Sequence, residues 1–440
     1  PTMLRSAAKG RRIVVCDPSD RQKTIDWLKS GEQNHEEFIS ALVAKSEYIV
    51  ADYCLASARY HSAGKIDGFI VNNFVESKYG ENAWQSPAGL LVGGGDEFAI
   101  GKFKLLAGTA PSYNNLADVD RLLQTMTHIA AGFEVNNCSL SASAALGISP
   151  RGGEGSAVPK ITVGVKHGNL CGAAVSEDPS KAIQNMLEGD LRAIFGGLVM
   201  VNFPIDEKLA EVLLTHKMEN NQRRLLDGVI APEFTEGAIE LMKRKGDKCR
   251  FLVNPALANL SKDSLDQHVR FRYVRGGFLK QPNYTFVLDL SVVSPFMGSS
   301  EDLTADKSAN YMSAQLSNEQ KSDLILAWAI GSTSNSNTVT ITKNGMLLGN
   351  GVGQQDRVSC CQLAIKRAVD AKHDIKGAAA YSDSFFPFVD GVEVLAAAGV
   401  TSIFATSGSV RDTEVREFCQ KNKISLAMLP DSQARGFFGH

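Results

Sequence analysis

Lys166-His167 directly follows the apolar run Ile161-Thr-Val-Gly-Val165, inside VKHGNLCGAAV. A strand ending in this pair aims an ammonium and an imidazole at the crevice where open α/β sheets hold their ligands. A neutral imidazole serves as a general base near pH 7, and an ammonium is a fixed positive charge for a developing oxyanion. Together they suit the two demands of an acyl transfer.

Other segments carry groups that could assist. Lys78 and Tyr79 in KYGEN put a cation and a phenol at a turn, suited to a phosphate or carboxylate or simply to solvent. In PSYNNL, Asn115 could serve a ligand or its own backbone at a helix start. Phe195-Gly196-Gly197 allows close approach of a flat ring or merely makes a turn, and Asp227 could accept from ribose hydroxyls or cap a strand start. Asn337 precedes a strand, where it could anchor an amide or satisfy a buried backbone group. Beyond the hairpin turn Lys343-Asn344-Gly345, the run Gly351-x-Gly353-Gln354-Gln355 can offer backbone donors, with Arg357 as a forked cation. Phe385, Pro387, Phe388 and Asp390 sit in SDSFFPFVD, which reads either as core or as an apolar slot for a planar heterocycle with a carboxylate for its ring nitrogens. Ser407 and Gly408 lie at a helix start, a site for an anion or carbonyl, with Ser409 and Asp412 as capping groups. Arg435, Phe437 and His440 close the chain, where an arginine is usually solvated and a terminal histidine frayed.

These groups need a scaffold of some size. The chain has 440 residues, 44% hydrophobic and 21% charged, which suits a soluble protein of two or three domains. With 46 basic and 48 acidic residues the formal charge is -2, which argues against nucleic-acid binding by phosphate neutralisation. No stretch has the length of a membrane span and no signal pattern opens the chain, so no membrane association and a cytoplasmic location are expected. Eight scattered cysteines without CxxC spacing point to reduced thiols and no metal site.

Periodicity places the elements. The run IVVCD near residues 12 to 16 reads as a short strand, followed by a helix closed by Gly31 and another from about Glu36 to Ala63. From about Lys78 strands and helices alternate. Strands are expected at ITVGV, GLVMVN, GVIAP and FLVNP, and helices at 179–188, 206–217 and 234–245. After a polar stretch at 256–282 the alternation resumes, with helices at 318–330, from about 358, at 391–399 and at 410–421, and strands between them. Two sheet-containing halves of similar size follow, in an α/β fold.

Taken in order, KYGEN, SYNNLAD, VKHGNLCGAAV, FGG, DGVIAP, SNTVTITKNG, GxGQQDR, SDSFFPF with Asp390, and SGS resemble the blocks of the AICAR transformylase/IMP cyclohydrolase family over residues 74–440. The resemblance implies two tandem cytidine-deaminase-like three-layer α/β/α domains without zinc, at 74–262 and 263–440, preceded at 1–73 by a short, mainly helical piece resembling the later part of a cyclohydrolase domain. It implies a homodimer with interfacial active sites. The implied reaction moves a formyl group from 10-formyltetrahydrofolate to the 5-amino group of AICAR, giving FAICAR, with cyclohydrolase activity expected to be absent from this chain. By resemblance His167 is the base, Lys166 stabilises the oxyanion or leaving group, and Asn337 holds the carboxamide or formyl oxygen. Lys78, Tyr79 and Arg435 would bind the phosphate, Asp227 the ribose, and Asn115 and Arg357 other parts of the nucleotide. Phe195, Gly196, Phe385, Pro387, Phe388, Asp390, Ser407 and Gly408 would line the base and folate region, with Phe437 also on the substrate. Ala83-Trp84-Gln85, Val389 and GNLCG differ from the family's usual residues at those positions. A non-catalytic nucleotide-binding homologue, or a formyltransferase with another acceptor, is the alternative expectation.

Overall fold

The computed structural model describes residues 1–93, 95–138, 158–293, 311–312 and 315–439, so His440 lies outside the described residues. The chain divides into two compact units, one of Pro1–Glu76 with Pro87–Ala99 and one of Ser77–Ser86 with Ile100–His440.

The smaller unit holds helices α1 (Thr2–Lys9), α2 (Asp20–Lys29) and α3 (His35–His61), and a two-stranded sheet of β1 (Asn72–Ser77) and β2 (Ala88–Val92). Gly31 adopts φ +80° just beyond α2, as expected of a helix-ending glycine. Trp27 stacks on Phe38 at 4.3 Å and donates through Nε1 to the Gln33 carbonyl. The strand expected near residues 12 to 16 is not formed. The segment has no regular secondary structure, and β1 and β2 pair with each other, so its backbone has no ladder to join.

In the larger unit β3 (Lys104–Ala107) leads to α4 (Tyr113–Val135). Next come β4 (Lys160–Lys166), β5 (Asn169–Ser176), α5 (Pro179–Gly189), β6 (Leu198–Val201), α6 (Glu207–Thr215), β7 (Gly228–Ala231), α7 (Glu236–Met242) and β8 (Arg250–Val253). A separate hairpin of β9 (Arg270–Val274) and β10 (Gly277–Gln281) and the short β11 (Tyr311–Met312) follow. The chain then runs α8 (Asn318–Ser332), β12 (Thr338–Lys343), β13 (Met346–Val352), α9 (Arg357–Asp370), β14 (Ala379–Ser382), α10 (Asp390–Ala397), β15 (Ser402–Ser407), α11 (Asp412–Lys421), β16 (Ser425–Pro430) and α12 (Asp431–Ala434). Twelve strands form one mixed sheet in the order β11-β16-β15-β14-β12-β13-β5-β4-β6-β7-β8-β3.

That order is a duplication. An antiparallel hairpin (β4-β5, β12-β13), three parallel strands (β6-β7-β8, β14-β15-β16) and an antiparallel edge (β3, β11) occur twice, joined where β13 meets β5 at Met346 and Ala174. Both faces of the central strands are covered, so most of them are apolar runs, and in β12 (TVTITK) the alternating Thr338, Thr340 and Thr342 are fully buried as well. Val199, Val201, Val229, Ala231 and Phe251 share a core cluster with residues of α5, α6 and α7. On the other face Tyr381 abuts Gly331 of α8, and Gly132 of α4 abuts Trp328 of α8. Helix α5 lies so close to β5 that a Cβ on Gly172 would stand 2.1 Å from the Met186 carbonyl oxygen, and Gly349 of β13 meets Ala364 of α9 at the same distance.

The duplication extends to side chains. Ser112 with Asn115 and Ser317 with Gln320 form capping boxes at the starts of α4 and α8. The sixth residue of each helix is an aspartate that accepts from the turn of the following hairpin: Asp118 from the Gly168 amide, and Asp323 from the Asn344 and Gly345 amides. The turns match as Lys166-His167-Gly168 and Lys343-Asn344-Gly345, with φ of 53° and 71° in the first and 54° and 70° in the second.

Candidate functional site

Strand register puts the expected site residues on one edge of the sheet. Lys166 ends β4 opposite Asn169, and Val165 pairs Leu198, so the starts of β6, β7 and β8 lie at that edge. Because β13 runs antiparallel to β5, the end of β13 and the start of β12 lie there too, with the carboxyl ends of β14, β15 and β16. The crevice differs from the expected one. It lies outside the carboxyl ends of the parallel strands in the second copy, but outside the amino ends in the first, because β4 opposes β6.

The first group of residues centres on the β4-β5 turn. Lys166 Nζ donates to the Phe195 carbonyl at 2.5 Å and lies over Gly196, where a Cβ would stand 3.8 Å from it. His167 is exposed, with φ 53° in the left-handed region, which asparagine and histidine enter more readily than most residues. The turn itself does not require histidine, since its counterpart is Asn344. Asn169 Nδ2 donates to the His167 carbonyl at 2.9 Å, and the Gly168 amide donates to Asp118 Oδ1 at 2.7 Å. Burial holds the Asp118 carboxyl above the usual carboxylate range, opposed by the Gly168 bond and by the charges of His167 and Arg121. Asp227 precedes β7 half-exposed, with Oδ1 accepting from Arg244 at 2.9 Å. Tyr79 lies within electrostatic range of Arg250 at the start of β8, beside the exposed Lys78. Asn115 serves its own helix: its Oδ1 accepts from the Ser112 amide at 3.1 Å, as the capping alternative requires.

The second group surrounds Asn337. Its Nδ2 donates to the Gln354 carbonyl at 2.8 Å and its Oδ1 accepts from Arg357 Nη2 at 2.9 Å, which fixes the plane of the amide. Arg357 is buried and also pairs with the fully buried Asp383, so its fork organises Asn337 from within. The glycine-run amides are likewise committed internally, Gly353 to the Asn335 carbonyl and Gln354 to that of Asn337. Gly351 instead admits α9, since a Cβ there would stand 2.2 Å from the Cys360 carbonyl oxygen. The last residues cross this loop: the Gly436 amide donates to the Asp383 carbonyl and the Phe438 amide to that of Ser334.

The aromatic run after β14 divides. Phe386 is core, Phe385 is half-buried, and Pro387, Phe388 and Asp390 are exposed at the edge, where Asp390 Oδ1 accepts from the Gly391 amide. Phe385 comes within 4.0 Å of the Cβ position of Gly408. The anion site expected at the start of α11 is already filled, because the helix begins at Asp412, whose carboxylate accepts from the Gly408 and Ser409 amides. Ser407 Oγ is buried with no hydrogen-bond partner. Arg435 is exposed, 3.5 Å from Asp431 and over the Phe437 ring at 5.8 Å.

These groups are spread along the sheet edge. From β4 to β12 is three strand spacings, about 14 Å at ~4.8 Å each, so Lys166 and His167 stand apart from Asn337. Lys78 and Tyr79 are near β8 and Arg435 follows β16, near the opposite end of the sheet order. Helix α4 spans part of the gap: Asp118 holds the His167 turn, and one turn later Arg121 donates to the Thr333 and Phe438 carbonyls and, at 3.0 Å, to Asn335 Oδ1. Asp118, Arg121 and Asp383 were missed in the sequence. Asp118 stands in the SYNNLAD block and Asp383 in SDSFFPF, so both blocks carried the signal; Arg121 carried none.

All eight cysteines are unbridged, and burial pushes the thiols of Cys171, Cys249, Cys360 and Cys419 up to about 12, leaving them inert as nucleophiles. Among the described residues no helix is long and apolar enough to cross a membrane.

A sequence model of the AICARFT/IMPCHase bienzyme matches residues 7–367. This chain belongs to that family. It is similar to the bifunctional purine biosynthesis protein PurH of Anoxybacillus flavithermus, with 32% identity over 438 residues, 98% of this chain and 73% of that protein. It is also similar to PurH of Staphylococcus carnosus, 30% identical over 437 residues, 97% of this chain and 73% of the relative.

Proposed function

We propose that this chain transfers a formyl group from 10-formyltetrahydrofolate to the 5-amino group of AICAR in cytoplasmic purine biosynthesis, as a homodimer. In this reading residues 74–262 and 263–440 are cytidine-deaminase-like domains without zinc, and residues 1–73 belong to a cyclohydrolase-like domain. Membership of the family supports the substrate class. The observation that carries the chemistry is His167, an exposed imidazole in a turn whose duplicate uses asparagine, beside an ammonium already oriented by a backbone carbonyl.

The arylamine of AICAR is a weak nucleophile, so His167 removes its proton as the C–N bond forms. The formyl oxygen takes up negative charge, which Lys166 stabilises. Collapse of the tetrahedral species breaks the bond to N10 of the folate, which leaves protonated as tetrahydrofolate. Asn337, its amide plane fixed by Gln354 and Arg357, holds the carboxamide or formyl oxygen. Lys78, Tyr79 and Arg435 take the phosphate and Asp227 the ribose, while Phe195, Gly196, Phe385, Pro387, Phe388, Asp390, Ser407 and Gly408 line the ring sites, with Phe437 beside them. Three strand spacings separate the His167 and Asn337 groups within one chain, which supports reading the edge as two half-sites, each completed by the partner subunit.

The test is a spectrophotometric assay with AICAR and 10-formyltetrahydrofolate. Stoichiometric tetrahydrofolate and FAICAR are expected. Nucleotide binding without transfer would identify a non-catalytic homologue, and transfer to another amine would identify an altered acceptor.

A further inference from the structure

The duplicated hairpin clasp supplies an internal reference for the His167 turn. In the second copy Asp323 spends both carboxylate oxygens on the turn, Oδ2 on the Asn344 amide at 2.9 Å and Oδ1 on that of Gly345 at 2.8 Å. Lys343, in the same turn, points elsewhere, to Asp374 at 3.0 Å. In the first copy Asp118 has one such bond, from Gly168 to Oδ1, and the amide matching that of Asn344 is the one on His167. The carboxylate thus keeps one oxygen outside the turn's backbone bonds, in the turn that carries histidine where the second copy carries asparagine.

We propose that Asp118 is the positioning residue of the transfer site: through the Gly168 amide it holds the β4-β5 turn that carries the imidazole. The charged groups acting on Asp118 are His167, Arg121 and Asp227, and on the His167 side Lys166 is the neighbouring cation. The role rests on the transfer reaction proposed above. The clasp does not.

Asp118→Ala, Asp118→Asn and Asp323→Ala test the clasp. Asp118→Ala removes the acceptor of the Gly168 amide, so amide exchange at Gly168 should speed up, and kcat should fall on the order of 10- to 100-fold through lost orientation, with KM for AICAR little changed. Asp118→Asn keeps a side-chain oxygen that can accept from Gly168 and should restore most of the kcat and the slow exchange. Asp323→Ala should lower stability and leave kcat near that of the wild type. A wild-type kcat in Asp118→Ala, or an equal loss of kcat in Asp323→Ala, overturns the proposal. Unchanged Gly168 exchange in Asp118→Ala overturns the clasp whatever the activity, whereas a wild type that transfers no formyl group sinks the functional reading instead.

Discussion

Replacing His167 by alanine lowers kcat for formyl transfer about a thousandfold, the middle of the range for losing a general base, and leaves AICAR affinity within about threefold. The side chain is exposed at a turn held by Asp118 and by the Asn169 side chain, so its removal disturbs neither core nor backbone bonds. His167→Asn is the sharper variant, because asparagine occupies the matching position of the duplicate turn at nearly the same φ. It should fold like the parent, bind AICAR and lack transfer. Titration calorimetry for AICAR and single-turnover kinetics check the two halves of this expectation. Retained transfer by His167→Asn would remove the imidazole from the chemistry.

Arg357→Met has the largest expected effect on stability. The guanidinium and the Asp383 carboxylate are both buried, 7% and 0% exposed, and removing one partner leaves the other charge without compensation. Such losses cost about 3–5 kcal/mol. The same change removes the donor to Asn337 Oδ1, so the amide keeps only its bond to Gln354 and transfer falls with stability. The double variant Arg357→Met with Asp383→Leu should recover most of the stability but not the activity, since no donor returns to Asn337. Denaturant titration of the two single variants and the double variant gives the coupling directly. Full activity in the double variant would show that Asn337 needs no such support.

Much of the scaffold was legible. Apolar runs such as ITVGV and GLVMVN became strands buried on both faces, and the Ser112 and Ser317 helix starts carry local capping signals. Residues 12 to 16 misled because a strand needs a neighbour as well as β-branched residues, and composition does not show the neighbour. Loops misled for a related reason. Gly353, Gln354, Gly408 and Ser409 look like free donors in the sequence, but their amides are spent on Asn335, Asn337 and Asp412 once the chain turns. Arg357 reads as a forked cation for a ligand and is instead buried against Asp383, which arrives from 26 residues away. The 50-residue step from Asp118 to Gly168 is similarly invisible to periodicity. The two halves were legible as a repeated alternation of strands and helices, but their correspondence residue by residue shows only in strand order, capping boxes and turn clasps.

The most direct measurement mixes two inactive chains, His167→Ala and Asn337→Ala, after dissociation and reassociation. If each site takes His167 from one protomer and Asn337 from the other, half of the randomly formed dimers carry one intact site, and transfer returns to about a quarter of the wild-type rate. A mixture as inactive as its two components would contradict shared half-sites and return both groups to a single chain, where the sheet holds them apart.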